Sequence, residues 1–247
     1  MPSLFKTSNP ALNSRTFQGL EATAERMTLQ GTVNKTGFLL FCASGTAAWT
    51  WWIANTQGAE AVMPWMLGGL IGGFIFALVT TFKREWSSVT APIYALLEGL
   101  ALGGISCLME QSYHGIAINA LGLTLAVTVV MLLAYKSGLL RATPKFTIGV
   151  VAATGAIAVV YLVDFALRMF GHAVPLMNSA GTAGIVVSLV IVGIAALNLI
   201  LDFDFVETGV HVGAPKYMEW YGAFGIMVTL VWMYLEILRL LAKMRRR

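Results

Sequence analysis

Charge is what this sequence has least of. Asp, Glu, Lys and Arg make up 11% of its 247 residues, against about 25% in a soluble domain. The chain is 57% hydrophobic with a mean hydropathy of +0.76, and no soluble fold can hide that much apolar side chain. Cysteine is nearly missing as well: Cys42 and Cys107 lie inside separate apolar runs without CxxC spacing, which excludes a disulfide framework and a zinc site. His114, His172 and His211 fall in three different connections, where a lone histidine is usually a solvated side chain. There is no HExxH, no GxSxG and no P-loop, so the chain is not expected to be an enzyme or to carry a cofactor. The first 36 residues lack the short apolar core and cleavage site of a signal peptide, leaving the first span as the expected insertion signal.

What is present is a succession of long apolar runs. A spanning helix needs about 20 mostly apolar residues, because each backbone polar group must be satisfied within the segment once water is gone. Seven stretches meet that test, approximately Gly37 to Asn55, Val62 to Phe82, Ala91 to Met109, Ile116 to Tyr135, Phe146 to Leu167, Ala180 to Leu201 and Trp220 to Leu241. The expected fold is therefore an all-α polytopic integral membrane protein. It comprises a polar cytoplasmic segment over 1–36, a membrane domain over 37–242 and a basic tail over 243–247.

The formal net charge of +4 comes from basic residues in the connections, with no compact basic domain to hold a nucleic acid. With the N-terminus inside, the inner segments before the last span collect Lys6, Arg15, Arg26, Lys35, Lys83, Arg84, Lys136, Arg141, Lys145 and Lys216, and the outer ones only Arg168. That asymmetry orients six helices. The tail breaks it, since a seventh crossing puts Lys243, Arg245, Arg246 and Arg247 outside; either the last helix violates the rule or it does not cross fully.

Gly68, Gly69, Gly72 and Gly73 form two overlapping GxxxG patterns in the second span, and Gly99 and Gly103 repeat the spacing in the third. Small residues at this spacing let helix backbones approach closely, so these glycines read as packing. Trp51, Trp52, Trp65, Trp86 and Trp220 near span ends fit an interfacial aromatic belt.

A carboxylate at membrane depth costs several kcal/mol and needs a partner, a proton or a hydrated cavity. Glu98, near the middle of the third span, has no basic residue within two turns. It reads as a protonatable or cation-binding group, or as a buried, hydrogen-bonded structural carboxyl. Asp202 and Asp204 close the sixth span toward the cytoplasmic mouth, with Asn198 one turn before Asp202. They form a coupled pH-sensing or cation site, or they are solvated interfacial residues. Glu236 and Arg239 in the last span, and Asp164 and Arg168 in the fifth, have the i,i+3 and i,i+4 spacing of an ion pair. Such a pair lowers the cost of insertion and is read as structural or as part of a gate.

Several strings carry a family resemblance: SNPALNSRTF, MTLQGTVNKTG before the first span, FKREWSSVTAPIYALLEGLALGGIS, LNLILDFDFVETG and APKYMEWYGAFG. On these, nearly end to end, the chain resembles the bacterial branch of the Bax inhibitor-1/YccA family. The resemblance implies seven helices with the last at the centre of the other six, and a pH-sensitive calcium leak in a bacterial inner membrane, calcium being a permeant ion rather than a cofactor. The family also holds a modulator of a membrane-bound AAA protease and suppressors of cell death, so a non-transporting regulator with a membrane-protein partner is the alternative it implies. In leak members an Asp near the end of the sixth helix pairs with one in the last helix, within a motif similar to LGLYLDF. Asp202 matches the first. An ungapped alignment on Ile237 to Arg239 puts Thr229 at the second, while matching MYLE to the motif puts Glu236 there at the cost of a longer connection.

Overall fold

The computed structural model describes residues 26–172, 174 and 179–246. SNPALNSRTF, Lys6, Arg15 and Arg247 lie outside the described residues. Among the described residues seven helices are long and apolar enough to cross a membrane: α1 (Leu29–Gln57), α2 (Met63–Phe82), α3 (Ser87–Ser112), α4 (Ile116–Lys136), α5 (Pro144–Met169), α6 (Thr182–His211) and α7 (Met218–Arg245). Short 3-10 turns, Ala59–Val62 and Arg84–Trp86, precede α2 and α3.

Several helices outrun the apolar windows, because hydropathy marks the hydrocarbon while capping chemistry marks the helix. α1 starts two turns before Gly37. Thr28 caps it, its hydroxyl accepting from Gly31 N at 3.0 Å, and the turns so gained hold the polar residues Gln30, Asn34 and Lys35. α6 runs on from Leu201 to His211, so Asp202 and Asp204 sit inside a helix and His211 closes it. Elsewhere a carboxylate makes the turn: Glu110, near the end of α3, accepts from Gly115 N and from Ala117 N (3.1 Å) at the start of α4.

The chain forms two compact units. The first contains α1, α2, α3, the end of α6 and the first turns of α7 (26–117 and 205–228). Here α3 packs on both α1 and α2, and glycine sets the approach. A Cβ on Gly103 would overlap Thr50 Oγ1 and stand 2.7 Å from Ala47 Cα, and one on Gly99 would meet Thr46 and Ala43 in the same way. A Cβ on Gly69 would come within 2.5 Å of Leu97 O. Gly72 faces the Leu97 side chain and Gly73 faces Glu98 Oε2, whereas Gly68 has nothing within 4 Å. α1 meets α3 with the stripe Ala43, Thr46, Ala47 and Thr50; its two threonine hydroxyls donate back to carbonyls of their own helix, so no polar group is stranded in the contact.

The second unit contains α4 from Ile118, α5, α6 to Asp204 and α7 from Thr229. Asn198 Nδ2 donates to Thr154 Oγ1 (2.8 Å), tying α6 to α5. Lys243 is buried and donates to Ser188 Oγ (2.8 Å) and Gly184 O (3.2 Å), tying the end of α7 to the first turns of α6. Lys243 thus belongs to the packed helix, not to a solvated tail. α7 is continuous over 28 residues, about 42 Å at 1.5 Å per residue, which exceeds the about 30 Å of hydrocarbon. It begins beside the cap of α1, where Thr28 N donates to Glu219, and ends beside the start of α6. The last helix is thus long and apolar enough to cross, and Arg245 and Arg246 stand at its C-terminal end. Cations there are favourably placed at a helix C-terminus.

Candidate functional site

Asp202 is fully buried, at 0% exposure, and Asn198 one turn earlier is buried too; Asp204 is half-buried. The two aspartates differ because i and i+2 point to different sides of a helix. The bonds from Lys243 to Ser188 and Gly184 set the antiparallel register of α6 and α7. Followed along both helices, that register brings Asp202 to the level of the turn containing Thr229, which is itself buried. Glu236 lies about two turns further toward the other end of α7.

Glu236 has its own company. It is 2% exposed, accepts from the Tyr161 hydroxyl of α5, and receives Arg239 Nη1 at 2.9 and 3.2 Å on its two oxygens. The same guanidinium nitrogen lies 2.6 Å from the Tyr161 oxygen, and the guanidinium carbon stands 5.1 Å from the Tyr161 ring centroid. The i,i+3 pair foreseen on one helix is thus a three-residue cluster on two, with Tyr161 as the member the sequence did not bring forward. Tyr161→Phe removes two hydrogen bonds to charged groups, one donated to Glu236 and one accepted from Arg239, and leaves the ion pair. It should cost about 2–4 kcal/mol, read as a lower thermal midpoint of the detergent-solubilised protein. The Asp164–Arg168 pair is formed at 2.8 Å, and Asp164 also accepts from Val174 N.

In the first unit Glu98 is half-buried, its Oε2 standing over Gly73. Among the described residues no ion pair or hydrogen bond is recorded for it, in contrast to Glu236. A second carboxylate, unforeseen, sits at the start of α7. Glu219 is fully buried and accepts from Thr28 N (2.9 Å), Thr28 Oγ1 (2.8 Å), Lys35 Nζ and Lys216 Nζ (3.1 Å). Lys35 also stands 5.3 Å from the ring centroid of Trp220. Among the described residues no group of three His, Cys, Asp or Glu converges to hold a metal.

The Bax inhibitor 1 like family model matches residues 9–246, nearly the whole chain. The chain belongs to the Bax inhibitor 1 like family. No curated protein and no solved structure matches it. For this Bax inhibitor 1 like chain the comparison covers every helix and leaves the roles of individual residues to geometry. Glu219 escaped notice because it precedes the apolar window that begins at Trp220, where a carboxylate reads as solvated. The signal was nonetheless there: Thr28 as an N-cap, with Gly31 three residues on, marks a helix start open to an anion.

Proposed function

We propose that this family member lets a cation, calcium being the leading candidate, leak passively across a bacterial inner membrane, gated by protonation of carboxyls at membrane depth, with the N-terminus cytoplasmic. The observation that carries the reading is Asp202, a carboxyl wholly withdrawn from the surface, at the level of the buried Thr229, with the Asn198 amide one turn away. Intramembrane groups of this kind mark ion paths. Glu98, half-buried and with no countercharge among the described residues, supports the same reading from the first unit. A protonated carboxyl offers a cation no charge, so flux should rise with pH as the gate ionises.

The test is calcium flux into liposomes carrying the purified chain, from about pH 6 to about pH 8. Wild type should show a flux that climbs across this window, and Asp202→Asn should flatten it; Glu98→Gln should lower its amplitude. No flux above empty liposomes, from protein shown to be folded, would sink the leak. It would leave the non-transporting regulator that binds another membrane protein, such as a membrane-bound AAA protease. Five of the six glycines that could have served such a partner are already occupied by internal contacts.

A further inference from the structure

Polar residues recur at every seventh position on two helices of the second unit. On α5 they are Thr147, Thr154 and Tyr161, and on α7 they are Thr229, Glu236 and Lys243. A seven-residue repeat keeps one helix face toward its neighbours, and the hydrogen bonds show that α5, α6 and α7 turn these faces on one another. Asn198 of α6 reaches Thr154, Tyr161 reaches Glu236, and Lys243 reaches Ser188 of α6. The levels agree as well. Tyr161 and Glu236 are 75 positions apart, as are Thr154 and Thr229, so both pairs stand level on two helices that each run against α6. The result is a polar seam in three layers about 10 Å apart. It runs from Asn198, Asp202 and Thr229 at one end to Ser188 and Lys243 at the other.

Lys243 is the unexpected member. A lysine two residues from the end of a spanning helix ordinarily extends outward and sets its ammonium in water. Here the ammonium turns inward: the residue is 6% exposed, and Nζ donates to Ser188 Oγ at 2.8 Å and to Gly184 O at 3.2 Å. Both partners are neutral oxygens, of the kind that can replace the water around a bare cation. We propose that Lys243 is a tethered cation at the end of the ion path, taking the seat that a permeating cation would occupy and so holding the leak nearly shut. The inference rests on the leak proposed above; it adds the route, along the seam between α5, α6 and α7, and the group that obstructs it. A seam serving only to join helices would gain nothing from a buried ammonium, because an apolar residue of similar volume there is no less stable.

The experiment is calcium flux into liposomes carrying the full chain, wild type against Lys243→Met, Ser188→Ala and Lys145→Gln. Lys243→Met keeps the volume and removes the charge, and should raise flux by about tenfold with its climb with pH retained. Ser188→Ala takes away one of the two oxygens that seat the ammonium and should raise flux by about threefold; it decides the question if Lys243→Met does not fold. Lys145→Gln removes an exposed lysine at the start of α5 and should leave flux unchanged. A leaking wild type with Lys243→Met no faster, at equal helix content, would overturn the obstruction and leave the leak standing. Flux in Lys243→Met but not in wild type would support the obstruction and sink the leak as an activity of the unaltered chain. Flux in neither would overturn both. An equal rise in Lys145→Gln would point to general loss of charge and would also overturn the obstruction.

Discussion

Replacing Glu219 by alanine should lower the stability of the protein by about 3–5 kcal/mol, the cost of removing one partner from a buried ionic cluster. The size follows from what is left behind. Thr28 N and Thr28 Oγ1 lose their acceptor at the start of α1, and the ammonium groups of Lys35 and Lys216 lose their countercharge. Lys35 is mostly buried, with an 18% exposed side chain, so water cannot fully replace the carboxylate. The cluster also joins distant parts of the chain, since Thr28 and Glu219 are 191 residues apart. Next to it, Met27 N donates to Ala214 O at 2.7 Å, and Arg26 bridges Pro215. Glu219→Gln keeps the acceptor and the shape but not the charge, and is expected to lose about half as much. Gly31→Ala should act on the same cluster, because its Cβ would overlap the Glu219 carboxylate. Chemical unfolding in mixed micelles reads all three. A Glu219→Ala variant as stable as wild type would mean that water enters the cluster freely.

Gly103→Leu is expected to prevent folding altogether, whereas Gly68→Leu should change stability by less than about 0.5 kcal/mol. Both glycines belong to small-xxx-small patterns, and nothing in their spacing separates them. The difference lies in what each meets. At Gly103 the obstacle is the α1 backbone at Ala47, which cannot rotate aside, so a larger residue must push two helices apart and forfeit the contact along their length. At Gly68 there is open space, and a leucine there faces lipid. Yield of monodisperse protein in detergent, compared for the two variants, is the measurement. A well-behaved Gly103→Leu protein would show that the α1–α3 contact can relax.

Some of this was legible because bilayer physics is severe. A segment in hydrocarbon must satisfy its own backbone and must be apolar for its whole length, so seven windows in one dimension became seven helices in three, and ion pairs written at i,i+3 and i,i+4 formed within single helices. Helix ends were less legible. Caps such as Thr28 and polar extensions such as residues 202 to 211 obey hydrogen-bond geometry rather than hydropathy, and they moved Asp202 from the end of a helix into its interior.

The sequence by itself determined the class of protein, the number of spans and the family, because each depends on local composition or on strings of adjacent residues. The charges of the last helix left its crossing open; the tertiary structure adds that α7 is long enough to span and that Lys243 is buried against Ser188. Likewise only the tertiary structure separated Glu236, enclosed by Tyr161 and Arg239, from Glu98, which stands over Gly73 with no cation beside it among the described residues, and only there did Glu219 appear as a buried anion rather than a solvated one. The environment of a carboxyl is made by residues far away in the chain, and in a low-dielectric interior those neighbours, not the residue type, decide what its charge can do.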